Sequence, residues 1–213
     1  MKPTQTIDAP YCLIAELTYR CPLRCPYCSN PLDLHALKTE LSTEVWQQLL
    51  EEASRIGIVQ VHFTGGEPLV RNDIPELVAT AREAGLYSHL ITAGVNVTAA
   101  RLSELRRAGL DAIQVSLQDT QPESNDWLAG IPSFDKKRET FLAAKQIGFP
   151  VTLNVVVHRH NIERVPDMLT LAEAWGADRL EIAHVQYVGW AQLNHRALLP
   201  TREQVRQAEA IVA

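Results

Sequence analysis

The chain has 213 residues, of which 46% are hydrophobic and 21% charged, and a formal net charge of −5, as is typical of a soluble protein whose core needs no disulfide bonds. Acidic and basic residues are interspersed, without a basic patch or tail, which argues against a nucleic-acid partner. The N-terminus lacks the apolar core of a signal peptide, and no apolar run approaches the roughly 18 residues of a membrane helix, so we expect a cytoplasmic protein without a membrane partner.

Short β-rich runs alternate with longer helical patterns along the chain. The predicted strands span 11–17, 58–63, 86–92, 111–117, 151–157 and 179–185. The predicted helices span about 42–56, 73–84, 98–108, 134–147 and 162–175, and a last helix begins near 201. The stretch 118–133 is predicted to be irregular. It is longer than most strand-to-helix loops, which makes it a candidate for function.

Local signals support the predicted helix ends. Ser42 and Thr98 are suitable N-caps for the first and third helices. In the first helix, apolar residues recur at helical spacing on one face: Val45, Leu49, Ala53 and Ile56. A glycine follows each of the first five helices and can end it: Gly57, Gly85, Gly109, Gly148 and Gly176.

The regular alternation of strands and helices predicts an α/β fold with parallel strands, because parallel neighbours need crossover helices. Six such units are too few for a closed eight-stranded barrel. They can form a doubly wound sheet or an open partial barrel, and in either fold the site lies at the carboxyl ends of the strands. The chain stops at Ala213, early in the last predicted helix, so we expect that the domain is truncated or that a second domain once followed.

Three of the four cysteines fall within eight residues, at Cys21, Cys25 and Cys28, directly after the first strand. In a reducing compartment such a cluster indicates metal binding rather than disulfide bonding. Pro22 and Pro26 disfavour a regular helix here and stiffen the loop.

Three kinds of inorganic site are compatible with this loop. A structural zinc site needs four ligands, and Cys12 or His35 would have to supply the fourth at an unusual spacing. An ordinary [4Fe–4S] cluster also needs four cysteines. A cluster held by three cysteines would leave one iron open for chemistry, as a catalytic zinc keeps one position open.

The spacing C-x₃-C-x₂-C, with the aromatic Tyr27 before the last cysteine, resembles the signature of the radical S-adenosylmethionine (SAM) superfamily. The resemblance implies a partial (β/α)₆ parallel barrel. It also implies a [4Fe–4S] cluster on Cys21, Cys25 and Cys28, whose open iron binds the amino and carboxylate groups of SAM. Transfer of an electron from the cluster would then cleave SAM and release a 5′-deoxyadenosyl radical.

The second predicted strand ends in Gly65-Gly66-Glu67-Pro68. Taken alone, this run predicts only a tight turn. Because it follows a neighbouring strand, it should meet the cysteine loop in space, where the glycines let the backbone approach a ligand closely. It resembles the GGE motif of the superfamily, which implies that it binds the amino group of SAM, with Glu67 supplying an anion.

Three further contacts to SAM are implied by the resemblance. Thr92, at the end of the third strand, is in the position of a carboxylate contact. Ser116, in the fourth strand, and Asn154, in the fifth, are candidate ribose contacts. All three residues could equally satisfy local backbone.

Five other residues are not assigned to the SAM site. Cys12 is expected to be a small buried apolar residue, and His158 and His160 are expected to lie in a solvated loop. Trp127 could contact substrate or cover apolar surface, and Arg24 could offset the charge of the cluster or be solvated.

The resemblance narrows further to the coenzyme PQQ synthesis protein E family. It rests on three runs: Cys25-Pro-Tyr-Cys28-Ser-Asn-Pro31, Ala112-Ile-Gln-Val-Ser-Leu-Gln-Asp119 and His184-Val-Gln-Tyr-Val-Gly-Trp-Ala191. It implies a radical SAM oxidoreductase that joins a glutamate side chain to a tyrosine ring of a precursor peptide in pyrroloquinoline quinone biosynthesis. The implied partners are that peptide, a small peptide-carrier protein and an electron donor.

One departure from that family affects the expected activity. Its members continue into a cysteine-rich domain with auxiliary iron–sulfur clusters, whereas no cysteine follows Cys28 here. We therefore interpret 1–213 as a radical SAM core domain without the auxiliary-cluster domain, which we expect to cleave SAM but not necessarily to complete the cross-link. The alternatives are another radical SAM peptide maturase, a molybdenum-cofactor-type cyclase, and a zinc-stabilised binding module.

Overall fold

A computed structural model describes residues 10–33, 36 and 39–212. In this part of the chain six parallel strands form one sheet in the order β1-β2-β3-β4-β5-β6. The strands are β1 (Cys12–Glu16), β2 (Gln60–Thr64), β3 (Tyr87–Thr92), β4 (Ala112–Leu117), β5 (Val151–Val157) and β6 (Arg179–His184). Each strand pairs with the next one in the sequence, as the predicted βα repeat requires.

Helices connect the strands and follow the last one. They are α1 (Thr43–Arg55), α2 (Ile74–Glu83), α3 (Ala99–Ala108), α4 (Pro122–Ala129), α5 (Phe134–Ile147), α6 (Val165–Trp175), α7 (Gly189–Leu193), α8 (His195–Leu198) and α9 (Arg202–Val212). Short 3₁₀ turns, Pro68–Val70 and Ile162–Arg164, precede α2 and α6. Of the helices in the described ranges, none has the length and apolarity to cross a bilayer.

The sheet curls around a cavity, which distinguishes a partial barrel from a flat doubly wound sheet. Residues from all six strands line this cavity of about 920 Å³: Glu16, Thr64, Thr92, Ser116, Asn154 and His184 are examples, one from each strand. The opposite faces of the strands carry the core. Val61, Phe63, Leu90 and Leu153 are fully buried between the sheet and the helices, each contributing about 1.5–3 kcal/mol of apolar burial.

The predicted helix ends are largely confirmed. The Ser42 hydroxyl accepts a hydrogen bond from the Val45 N–H (3.4 Å), and the Thr98 hydroxyl accepts one from the Arg101 N–H (3.2 Å). The five glycines predicted to end helices all have positive φ.

The predicted apolar face of α1 is wrong in most of its members. Val45 and Leu49 are 39% and 40% exposed and Ile56 is 62% exposed, whereas the buried face consists of Trp46, Leu50 and Ala53. The helix has apolar residues on two adjacent faces, and packing on the sheet selects the one that carries the tryptophan.

The stretch 118–133 was predicted to be irregular but contains α4. The Asp126 carboxylate is the reason for its compactness: Oδ1 accepts hydrogen bonds from the N–H groups of Ser133 (2.8 Å) and Phe134 (2.8 Å). Asn125 is buried and its Oδ1 accepts the Gln118 N–H (3.0 Å). The stretch thus folds back on itself and brings Gly130 against Arg24 of the cysteine loop.

Candidate active site

The cavity at the carboxyl ends of the strands collects nearly all of the predicted site residues. Its walls include Cys21, Cys25, Tyr27, Cys28, Gly65, Gly66, Thr92, Ser116 and Asn154. Glu67 is not among the described residues that line it. Ser116 and Asn154 are register partners on β4 and β5, so the two candidate ribose contacts lie side by side.

The cysteine loop presents three thiols to this cavity, each only partly exposed. Burial raises the pKa of the Cys25 thiol to about 12, and it also raises the pKa of Cys21 and of Cys28. Within the loop, the Cys28 N–H donates to the Cys25 carbonyl (3.1 Å). Thiols with raised pKa values are protonated at neutral pH, so metal binding here must release protons.

The Gly-Gly turn after β2 is pressed against the start of the cysteine loop. The Gly66 N–H donates to the Thr18 carbonyl and the Glu67 N–H to the Arg20 carbonyl, both at 2.7 Å. Gly65 has a φ of +130°, and a Cβ there would lie 2.6 Å from the Thr18 carbonyl oxygen. A Cβ on Gly66 would overlap the backbone of Arg20. Only glycines allow the two loops to approach this closely.

The Glu67 side chain is 1% exposed and is held by three donors. Its carboxylate accepts the Thr92 hydroxyl (2.7 Å), the Ala93 N–H (2.6 Å) and the Leu69 N–H (3.1 Å). Burial raises its pKa, although these hydrogen bonds oppose the shift. Glu67 therefore fixes the end of β3 to the Gly-Gly turn, and its role toward the amino group of SAM stays a prediction.

This arrangement predicts a loss of stability in Glu67→Gln. The amide NH₂ group would face at least one donor, which leaves a buried N–H without an acceptor and costs about 1–3 kcal/mol. Denaturant unfolding would measure the loss, with Glu83→Gln on the exposed side of α2 as the matched control. Equal unfolding free energies for the two variants would contradict this role of Glu67.

The Thr92 hydroxyl also makes its hydrogen bonds within the protein. Besides donating to Glu67, its hydroxyl oxygen accepts the Gly94 N–H (3.0 Å), and the side chain is 1% exposed. Thr92 lines the cavity, but its hydroxyl proton is committed to the carboxylate.

A lysine that the sequence did not single out lies beneath the site. Lys137, on α5, is 0% exposed, and its Nζ donates to the carbonyls of Ala93 (2.7 Å) and Ser116 (2.8 Å). Burial lowers the pKa of Lys137 to about 8, whereas nearby Cys25 and Glu67 oppose this shift. Sequence reasoning missed it because a lysine on a helix is usually solvated.

Tyr27 connects the cysteine loop to the far wall of the cavity. Burial raises the pKa of its hydroxyl. Its ring packs on His158, with centroids 5.4 Å apart.

The prediction that His158 and His160 lie in a solvated loop is wrong for His158. That side chain is fully buried, and its Nδ1 accepts the His160 N–H (3.2 Å). Burial lowers the pKa of His158 to about 4, so the ring is neutral. His160 itself is exposed.

A segment after β6 closes over the cysteine loop. The Ala191 N–H donates to the Cys28 carbonyl (2.9 Å), and the Asn194 side chain donates to the Pro26 carbonyl (3.0 Å). Gly189 has positive φ, and a Cβ on it would overlap the carbonyl of Asn30. The glycine of the run Val188-Gly-Trp190 was the sequence signal for this close approach.

Of the other residues considered from the sequence, Arg24 lines the cavity. His184, Gln186 and Trp190, which belong to or follow β6, line it as well. Cys12 is half-buried on β1 and is not among the described residues of the cavity wall, and Trp127 is 67% exposed. His35 lies outside the described residues.

The cavity wall carries the ligands that an iron–sulfur cluster takes, which are cysteine thiolates. Its three thiols lie beside the Gly-Gly turn and near a buried cation, so the residues present fit an anionic cluster.

Comparisons with known proteins find relatives along nearly the whole chain. The PqqA peptide cyclase of Xanthomonas campestris pv. campestris is 52% identical over 209 residues, which are 98% of this chain and 55% of that protein. The PqqA peptide cyclase of Granulibacter bethesdensis is 49% identical over 97% of this chain and 56% of its own length. The chain thus spans about half the length of these curated relatives.

Solved structures share the fold. Streptococcus suis SuiB bound to S-adenosylmethionine superposes with a TM-score of 0.80 at 20% identity, over 95% of this chain and 47% of that one. SuiB bound to the precursor peptide SuiA gives a TM-score of 0.74 at 20% identity, over 84% and 40%. The family model described as "Radical SAM superfamily" matches residues 15–172. The chain belongs to the radical SAM superfamily.

Proposed function

We propose that the chain is the catalytic core of a radical SAM enzyme, with a [4Fe–4S] cluster held by Cys21, Cys25 and Cys28. The observation that carries this proposal is the shared cavity: the three thiols and the Gly65-Gly66 turn line the same space at the carboxyl ends of β1 and β2. When bound, the cluster supplies the electron that cleaves the sulfur–C5′ bond of SAM. The protein's part is to position SAM and to shield it from water.

The roles proposed for the binding residues follow from their places in the cavity. The backbone of Gly65 and Gly66 is open to a ligand and would meet the amino group of SAM. Ser116 and Asn154, adjacent on β4 and β5, would bind the ribose. Tyr27, next to the last cysteine, would contact the adenine side. Glu67 and Thr92 would act mainly by holding the turn in place.

We further propose that the substrate is a precursor peptide in which a glutamate side chain becomes bonded to a tyrosine ring. Identity of about half to peptide cyclases, across nearly the whole chain, supports a peptide substrate. The adenosyl radical would remove a hydrogen atom from the glutamate side chain, the carbon radical would add to the ring, and the ring would lose one electron and one proton. This chemistry requires an electron donor and an electron acceptor, and a small peptide-carrier protein is proposed as a further partner.

The test is anaerobic reconstitution followed by two measurements. Iron and sulfide are counted per chain, with four of each expected, and 5′-deoxyadenosine is measured after adding SAM and dithionite. Zinc as the only metal, with no cluster after reconstitution, would overturn the radical proposal in favour of a zinc-stabilised binding module.

The substrate is tested separately by adding the precursor peptide. A cross-linked product is lighter than the peptide by two hydrogen atoms, which mass spectrometry resolves. Formation of 5′-deoxyadenosine without any change in the peptide would leave the cluster assignment standing. It would also favour the earlier expectation that this core cannot complete the cross-link, or a different substrate.

A further inference from the structure

The ends of β3 and β4 are held by one buried ammonium group. Lys137 Nζ donates to the Ala93 carbonyl, which follows β3, and to the Ser116 carbonyl within β4. The Ala93 N–H is held from the other side by the Glu67 carboxylate at 2.6 Å. The Lys137 ammonium group and the Glu67 carboxylate therefore hydrogen-bond to the same residue, Ala93, on the cavity wall.

Lys137 lies behind the part of the cavity wall that borders the thiol loop. Ala93, whose carbonyl it holds, lines the same cavity as Cys21 and Cys25 and packs with them against one small apolar cluster. The Glu67 carboxylate, which accepts the Ala93 N–H, opposes the lowering of the Lys137 pKa. Because Lys137 is 0% exposed, water screens this interaction little. An uncompensated buried ammonium would be costly, and the two carbonyls and the carboxylate offset that cost.

From this geometry we propose that Lys137 is a positioning residue that also sets the reduction potential of the cluster. The inference rests on the proposed function. Reduction adds one electron to the cluster and no proton, so a fixed positive charge nearby stabilises the reduced form relative to the oxidised form. Lys137 thereby makes the cluster easier to reduce, while Glu67 acts in the opposite direction.

The test is a spectroelectrochemical titration of the reconstituted protein, with dithionite and redox mediators. Lys137→Met keeps the length of the side chain and removes its charge. At a fixed potential we expect at least a tenfold lower ratio of reduced to oxidised cluster, which is about 59 mV toward more negative potential for a one-electron couple. Lys145→Met is the matched control on the same helix, where the lysine pairs with Asp178 near the surface, and it should leave the potential unchanged.

A second variant separates charge from loss of structure. Glu67→Gln should shift the potential in the positive direction, although both variants loosen the same loop. Shifts in the same direction for both, or a potential unchanged in either, would overturn the inference. If Lys137→Met holds no iron, Lys137→Gln, whose neutral amide can still donate to a carbonyl, is titrated in its place, and the same negative shift is expected.

The proposed function and the role of Lys137 are contradicted by different results. A wild-type protein that binds no four-iron cluster defeats the proposed function. A wild-type protein that binds the cluster and cleaves SAM, with potentials that do not follow the two charges, defeats only the role of Lys137.

Discussion

Replacing Cys25 with alanine is expected to abolish both cluster binding and the formation of 5′-deoxyadenosine above background. Cys25 is the most enclosed of the three thiols, and burial raises its pKa to about 12. With only two thiolates left, the loop cannot hold the cluster and also present one open iron in a fixed place. Iron and sulfide counts, together with 5′-deoxyadenosine measured by chromatography, would check the result.

Cys12→Ala is the matched control, because Cys12 is the one cysteine of the sequence outside the loop and lies on β1 away from the cavity wall. It should keep wild-type iron content and activity. Both variants should unfold within about 1 kcal/mol of the wild-type apo-protein, since neither removes a large core side chain. Full iron content in Cys25→Ala, or its loss in Cys12→Ala, would refute the assignment of ligands.

Gly65→Ala is expected to lower the rate of SAM cleavage by about 100-fold, the effect of displacing a reacting group by roughly 1 Å. A methyl group at this position would lie 2.6 Å from the Thr18 carbonyl oxygen and 2.9 Å from the Thr18 nitrogen. Because these are backbone atoms, they cannot turn aside, and the turn must separate from the cysteine loop. The hydrogen bond from the Gly66 N–H to Thr18 would then lengthen or break.

The control for Gly65→Ala is Gly57→Ala, after α1. Gly57 also has positive φ (+95°), but a Cβ there would have no heavy atom within 4 Å. Alanine at either position adds backbone strain of about 1–3 kcal/mol, and the free energy of unfolding should fall by this amount in both variants. Only Gly65→Ala should show the fall of about 100-fold in the rate of SAM cleavage. Equal activities in the two variants would show that the close approach of the loops is unimportant.

Much of the fold could be predicted from the sequence because each βα unit carries its own signals. Apolar runs of strand length, N-caps such as Ser42 and Thr98, and glycines after the helices are local features that the structure keeps. The buried face of α1 could not be predicted from spacing, because Trp46 and Leu50 form one apolar stripe and Val45 and Leu49 form another beside it. Only contact with the sheet decides between them.

The position of the candidate site could be predicted from the sequence, but most of the hydrogen bonds and packing contacts within it could not. The cysteine spacing and the Gly-Gly run predict a meeting point at the carboxyl ends of β1 and β2. That the Glu67 carboxylate turns inward, that Lys137 is buried and that His158 packs on Tyr27 all depend on contacts between residues distant in sequence. A single lysine or histidine in a sequence does not reveal which carbonyl or ring it will meet.

The contact between Asn194 and Pro26 joins residues 168 positions apart. A ribosome releases Cys21, Cys25 and Cys28 long before it reaches Asn194, and the order of synthesis therefore delays closure of the loop until all six described strands have been made. Contacts of such long range form late, since the intervening chain must be ordered first. Until then, the three cysteine thiols of the nascent chain are accessible both to the donors of iron and sulfide and to oxidants.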